Sequence, residues 1–227
     1  MMKIRKLFNI KYVTITATIL LFLIFYAIGS VQYRGFFTLR TFLSLFSDNA
    51  YLGVTAVGMT LVLISGGIDL SVGAVAALTT MIIAYGTEVM TWSAPLSFGV
   101  ALIVGTSLGL LMGTMIYKYE VPPFIATLAG MFLARGLSFV ISIQSITINN
   151  EWFRAVAKWK IKFQVGKSYI TVGVIIFITV VLIGIWLMKY TKFGRTVYAI
   201  GGDETSAKLM GLKVGKVKVA IYGINGF

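Results

Sequence analysis

Two glycines, a carboxylate and a hydroxyl stand together at Ser65-Gly66-Gly67-Ile68-Asp69-Leu70-Ser71-Val72-Gly73, between two long apolar runs. These residue types can do two kinds of work. Asp69 and Ser71 can hydrogen-bond a polyhydroxylated solute and replace part of the water it leaves behind. Equally, either can cap a helix starting near Val72, with the glycines permitting the turn before it. An ordinary membrane helix accommodates none of this, since paired glycines carry a backbone entropy cost and an ionised Asp at mid-bilayer costs about 2.5–3.5 kcal/mol. The same reasoning picks out Arg135, inside a later apolar run, whose charge needs an ion-pair partner, a snorkelling route to the interface, or a polar pathway where it meets solute. Asp69 is a conceivable partner for it. Asn49 and Thr127 complete the set of candidate pathway residues.

Other chemistry is narrowed by absence. The 227 residues contain no Cys and no His, which excludes disulfides and thiolate metal sites and removes the commonest general base and metal ligand. No catalytic residue, metal or cofactor is expected. Gly166-Lys167-Ser168 has the ending of a phosphate-binding loop, G-x-x-x-x-G-K-[ST], but position 161 is Ile where the first glycine would stand. ATP, if it is used, binds another polypeptide.

The elements that must position these residues are membrane helices. A composition of 58% hydrophobic and 12% charged residues, with a mean hydropathy of +0.93, gives more apolar surface than a soluble domain of this length can bury. The net charge of +13 does not point to nucleic acid, because most of the 20 basic residues flank apolar runs. The runs are Val13 to Val31, Phe42 to Ser65, Val72 to Met90, Pro95 to Ile116, Pro123 to Ser142 and Tyr169 to Met188. Each is near the roughly 20 residues a span needs. Lys3, Arg5, Lys6 and Lys11 precede the first, which is read as a retained helix rather than a cleaved signal, so the N-terminus is cytoplasmic. Alternate counting then places 12 Lys/Arg inside and 7 outside, a modest positive-inside bias. The segment Ile143 to Ser168, with five basic residues, falls outside and weakens it.

Small residues recur every four positions in two spans: Ser97, Ala101, Gly105, Gly109 and Gly113, then Ala126, Gly130, Ala134 and Ser138. Such stripes let another helix approach closely. After the sixth span the pattern turns amphipathic. Asp203 can cap a short helix, Glu204 suits its first turn, and Ala207, Leu209, Met210 and Leu212 give it an apolar surface. This segment is either a solvated cytoplasmic loop or a helix presented to a partner's groove. The closing run Val219 to Phe227 is too short to cross a bilayer as a helix. It is expected to be the start of a seventh span in a longer chain rather than an interfacial segment.

Three blocks resemble the membrane permeases of bacterial ATP-binding-cassette importers of ribose, xylose, galactose and galactofuranose. They are Asp48 to Gly53 through Gly58-Met59-Thr60 to Ser65–Gly73; Val121-Pro-Pro-Phe-Ile-Ala-Thr-Leu-Ala-Gly130 to Arg135-Gly136; and Phe193-Gly-Arg-Thr-Val-Tyr-Ala-Ile-Gly-Gly202 through Ala207 to Gly211. The second, with Gln144 to Asn149, looks most like the galactofuranose type. The resemblance implies an all-α polytopic membrane protein of about six spans plus the start of a seventh. Residues 1–227 form a single permease domain, with residues 189–217 as a cytoplasmic coupling loop. It further implies a bacterial plasma (inner) membrane location, two cytoplasmic ATPase subunits that carry out the hydrolysis, a second permease subunit, identical or not, and a soluble sugar-binding protein on the outer side. Gly194, Arg195, Tyr198, Gly201, Gly202, Asp203, Ala207 and Gly211 match the family's coupling segment, with Asp203 where the family often has Asn and Ser206 where it often has Ala. The rival readings are an ion-coupled secondary transporter, for which the intramembrane carboxylates are few, and a truncated remnant that packs but moves nothing.

Overall fold

The computed structural model describes residues 10–162 and 169–227. The basic residues Lys3 to Lys6 and the Gly166-Lys167-Ser168 triplet lie outside them. The elements in order are α1 (Ile10–Gln32), α2 (Leu39–Ile64), α3 (Val72–Glu88), α4 (Ala94–Lys118), α5 (Pro123–Ile141), α6 (Glu151–Lys158), β1 (Lys160–Lys162), β2 (Tyr169–Thr171), α7 (Val172–Tyr190), α8 (Lys192–Gly202), α9 (Glu204–Leu209) and α10 (Val214–Gly226). Apart from the paired three-residue strands β1 and β2, the described secondary structure is helical. The chain is an all-α polytopic membrane protein.

Among the described residues five helices, α1, α2, α4, α5 and α7, are long and apolar enough to cross a bilayer. The expected third span is shorter than its apolar run. α3 has 17 residues and reaches about 25 Å, because the chain turns at Thr91, in the left-handed region at φ 54°, before Pro95 opens α4. The expected sixth span starts at Val172 instead of Tyr169, since residues 169–171 are drawn into β2.

Two compact units divide the chain. Of the described residues, 10–47, 161–162 and 169–170 fall in the first, where Tyr26 gathers the rings of Phe36, Phe37 and Phe42 at centroid distances of 5.3, 6.1 and 6.4 Å. The apolar side chains of α1 otherwise point outward on all sides, Phe25 and Leu21 among them, as suits a helix surrounded by lipid.

The second unit, residues 48–160 and 171–227, holds the core. Leu61 and Val62 of α2, Ile116 of α4, Ala126 of α5, Met188 of α7, Val197 of α8 and Ile221 and Tyr222 of α10 bury one another. A second cluster joins Val75 and Leu78 of α3 to Leu108 and Ala134. The closing run therefore belongs to a 13-residue helix sunk into protein rather than laid on an interface. α10 occupies the small-residue stripe of α4. A methyl group on Gly105 would strike the Gly226 carbonyl, one on Gly109 the Tyr222 carbonyl, and one on Gly113 the backbone of Val219. Gly130 of the other stripe meets the Met112 thioether in the same way. At the opposite end of this unit, Glu88 accepts the backbone N–H groups of Asn149 and Asn150 at 2.7 and 2.9 Å. Asn150 in turn caps α6 through the Trp152 N–H at 3.0 Å.

Gly109→Val should force α10 away from α4, an overpacking that costs about 1–3 kcal/mol. Gly99→Val on the same helix, where a side chain meets nothing within 4 Å, should change little. Melting of the two variants in detergent, followed by circular dichroism, checks this; equal midpoints would contradict the docking of α10.

Candidate functional site

The glycines of the loop between α2 and α3 have two separate reasons to be there. α2 ends in a left-handed turn at Gly66, φ 76°, with the Gly66 N–H on the Leu63 carbonyl at 3.0 Å and the Gly67 N–H on the Val62 carbonyl at 3.0 Å. That is a common way to satisfy the last carbonyls of a helix, and glycine adopts it without a Cβ penalty. Gly67 answers a different constraint, since a side chain there would meet the Tyr222 hydroxyl and Val62. The Ser65 hydroxyl donates to the Val62 carbonyl at 2.7 Å and closes the turn.

Asp69 is buried, 5% exposed, and every contact it makes is with a donor. Its Oδ1 accepts the Ser71 N–H at 2.8 Å and the Ser71 Oγ–H at 2.6 Å. Its Oδ2 accepts Asn225 Nδ2–H at 2.7 Å. Both oxygens of the carboxyl thus act as acceptors. Ser71 stands at the N-cap of α3, with the Val75 N–H on its carbonyl at 2.9 Å, but its hydroxyl turns back to Asp69 and caps nothing. The two residues thus build the turn into α3 jointly. Alongside, Tyr222 donates its hydroxyl to the Ile68 carbonyl at 3.2 Å.

The other pathway candidates are placed apart from this knot. Thr127 is fully buried, and its hydroxyl bonds the Pro123 carbonyl of its own helix at 2.7 Å. Arg135 is exposed on α5; among the described residues the ion pairs are those of Glu204 with Lys208 and Lys218, so Asp69 and Arg135 do not pair. Asn49 lies exposed on α2.

The third block folds into α8 and α9. Thr191 caps α8 through the Gly194 N–H at 3.2 Å, and Gly194 itself sits on the Met188 backbone with no room for a side chain. Arg195 and Tyr198 face outward. Gly201 is pressed onto the Ile64 carbonyl at the end of α2, one residue before Ser65. The loop and the amphipathic segment, far apart in sequence, are therefore in direct backbone contact. Gly202 faces open space, and Gly211 takes φ 76° beyond the end of α9.

Asp203 caps α9 by accepting the Ser206 N–H, and hydrogen bonding from the Ser206 side chain first, then from that N–H, holds its carboxyl below the ordinary range. Partial burial pushes Glu204 upward, but the ammonium groups of Lys218 and Lys208 outweigh it and leave the carboxyl lowered. The anticipated apolar surface of α9 is split. Ala207 is buried with Ile200 and Val214, whereas Leu209 and Met210 are 83% and 66% exposed.

Asn225 and Tyr222 were missed by sequence reasoning, although an amide in the otherwise apolar run Val219 to Phe227 was the available signal. Several curated relatives align over most of the chain. It is 41% identical over 205 residues to the inner membrane ABC transporter permease protein YjfF of Escherichia coli, covering 90% of this chain and 62% of that protein. It is 40% identical over 214 residues to the fructose import permease protein FruG of Bifidobacterium longum, 91% of this chain and 62% of the relative. With the ribose import permease protein RbsC of Escherichia coli the identity is 32% over 225 residues, 98% of this chain and 68% of the relative. The chain thus spans 62% of the length of the first two. No solved structure matches it. Residues 41–227 match the family described as the branched-chain amino acid transport system / permease component, and the chain belongs to that family.

Proposed function

We propose that the chain forms part of the sugar pathway in a permease subunit of an ATP-driven importer and couples that pathway to cytoplasmic ATPase subunits. The observation that carries the reading is the contact of Gly201 with the Ile64 carbonyl. Through it, a segment that exposes Leu209 and Met210 to a partner abuts the loop where α2 hands over to α3. Sugar rather than amino acid is the cargo because two of the relatives are named for fructose and ribose import. The N-terminus and residues 189–217 lie on the cytoplasmic side of a bacterial plasma membrane. A sugar-binding protein delivers cargo from the other side, and a second permease subunit completes the pathway.

Asn49 and Arg135 are the pathway candidates that stand at exposed positions. Asn49 lies about 22 Å along α2 from its Ile64 end and Arg135 about 18 Å into α5 from Pro123, so the two stand at a similar depth in antiparallel helices that both reach the α8–α9 end. The Arg135 guanidinium, with its fork of donors, can hydrogen-bond sugar hydroxyls from that depth. The burial of Asp69, Ser71 and Thr127, and the internal bonds that use their polar atoms, favour a supporting duty for them.

Reconstituting the full-length gene product with its ATPase in liposomes, and measuring uptake of labelled ribose, fructose and galactose, tests the reading. Uptake should require ATP and survive collapse of the proton gradient by an ionophore; ATP-independent, ionophore-sensitive uptake would overturn it. Gly202→Trp, placed in open space, should leave thermal stability intact and lower sugar-stimulated ATPase activity at least about tenfold, as should the double change Leu209→Ser and Met210→Ser, by removing an apolar anchor worth about 1.4 kcal/mol or more.

The ion pairs of Glu204 give α9 a pH dependence. Its carboxyl is lowered in the fold, so the stabilisation is complete above the ordinary carboxylate range and is lost as pH falls through the lowered value. After solvent screening it is worth under about 1 kcal/mol. Protection factors in α9, which correct for the intrinsic slowing of exchange in acid, should fall as pH is lowered from about 7 to about 3, and Glu204→Gln should remove that fall.

A further inference from the structure

We propose that Asn225 is a positioning residue of the transport cycle, its amide latching the Asp69 carboxylate so that the loop between α2 and α3 moves as one with α10. The inference rests on the importer reading above and extends it to a residue outside all three sequence blocks.

Four contacts make a continuous chain. Gly201 bears on the Ile64 carbonyl with no side chain between them, so a displacement of α8 displaces the end of α2. The left-handed turn at Gly66, held by the Gly66 and Gly67 N–H bonds to α2, carries that displacement to Asp69. From there Asn225 Nδ2–H to Asp69 Oδ2 at 2.7 Å, with the Tyr222 hydroxyl on the Ile68 carbonyl at 3.2 Å, crosses to α10. α10 in turn lies backbone to backbone on Gly105 and Gly109 of α4. α8 and α9 also touch α10 directly, through Ile200 and Ala207 on Val214 and the Glu204–Lys218 ion pair; among the described residues the directional links of the loop itself to α10 are these two hydrogen bonds.

Two observations set Asn225 apart from a residue that fills space. Its Oδ1 is buried and has no hydrogen-bond partner, lying against Gly58, where a Cβ would stand 2.6 Å from it. An apolar side chain of the same size would avoid that unsatisfied acceptor. What the amide adds is the N–H delivered to Asp69. The second observation is that Asp69 meets no cation among the described residues: the donors to its carboxyl there are Ser71 and Asn225. In a site of low dielectric such a carboxylate depends strongly on each donor. Sugar contact does not account for the arrangement, because both carboxylate oxygens are occupied and the residue is 5% exposed.

The test exploits the geometry of an exchange. Asn225→Asp opposes two carboxylates and should lower sugar transported per ATP hydrolysed at least about tenfold in the reconstituted complex. The double variant Asp69→Asn with Asn225→Asp rebuilds the pair in reverse, since an amide at 69 still accepts from Ser71 through Oδ1 while its Nδ2 donates to the new carboxylate. It should recover at least about threefold over the single variant, and not the whole loss, because the new carboxylate keeps one donor and its second oxygen faces Gly58 without one. Wild-type stoichiometry in Asn225→Asp, or an exchange variant as poor as the single one, overturns the latch; should Asn225→Asp fail to assemble, the exchange variant decides alone.

A readout without sugar or ATPase separates this from the importer reading. Spin labels at Gly73→Cys, where a side chain meets open space, and at exposed Ile224→Cys report the loop-to-α10 distance in the purified permease. The distribution should be narrow in the parent, broad in Asn225→Asp and narrow again in the exchange variant. Labels that pass this test in a protein that moves no sugar would refute the importer and leave the latch standing, whereas identical distributions in all three would refute the latch.

Discussion

A carboxyl buried inside a membrane protein and answered, among the described residues, by neutral donors constrains everything around it. Asp69 is 5% exposed and draws on the Ser71 amide and hydroxyl and on the Asn225 amide. Burying a polar group without compensation is so unfavourable that its donors must be in place whenever the fold is. Each of those donors belongs to a different structural commitment: Ser71 fixes where α3 begins, and Asn225 fixes how α10 is rotated and how deep it sits. The end of α2, the start of α3 and the C-terminal turn of α10 are thereby brought to one point. Glycines at 66 and 67 make the approach sterically feasible.

Helix association in the rest of the second unit follows from a different constraint. Lipid tails are as apolar as leucine side chains, so helices gain little from hiding apolar surface from one another and gain instead from close contact. The α4 stripe answers this with Gly105, Gly109 and Gly113, each facing backbone of α10. Fully buried large side chains are correspondingly few, Tyr222, Leu78 and Met112 among them, while many apolar residues of α1, α5 and α7 face outward. The exposure of Phe25, Phe132 or Trp186 is what a bilayer-facing surface requires.

Outside the spans the ordinary rules of water-soluble helices return. α9 has an Asp cap, a Glu in its first turn paired with Lys208, and a left-handed glycine beyond its end. It buries one small side chain, Ala207, and leaves Leu209 and Met210 uncovered. An apolar pair left open on an otherwise well-capped surface helix fits a segment that acts through a partner.

The membrane class, the approximate span limits, the Asp203 cap and the value of the small-residue stripes were all determined by the sequence, because composition, hydropathy and capping act locally. Ser65–Gly73 was also legible as a junction between helices. What sequence left open was which distant groups would meet. Nothing in Val219 to Phe227 marked it as the helix that fills the α4 stripe, since a stripe specifies the shape of its occupant and not its address. Nor could spacing reveal that Asp69 would be answered by Asn225 rather than Arg135: both are donors, and the choice depends on which helix the backbone brings within 3 Å. The contact of Gly201 with Ile64 is of the same kind. Tertiary structure alone decided these pairings, because a buried polar group binds whatever donor the packing of the helices delivers to it.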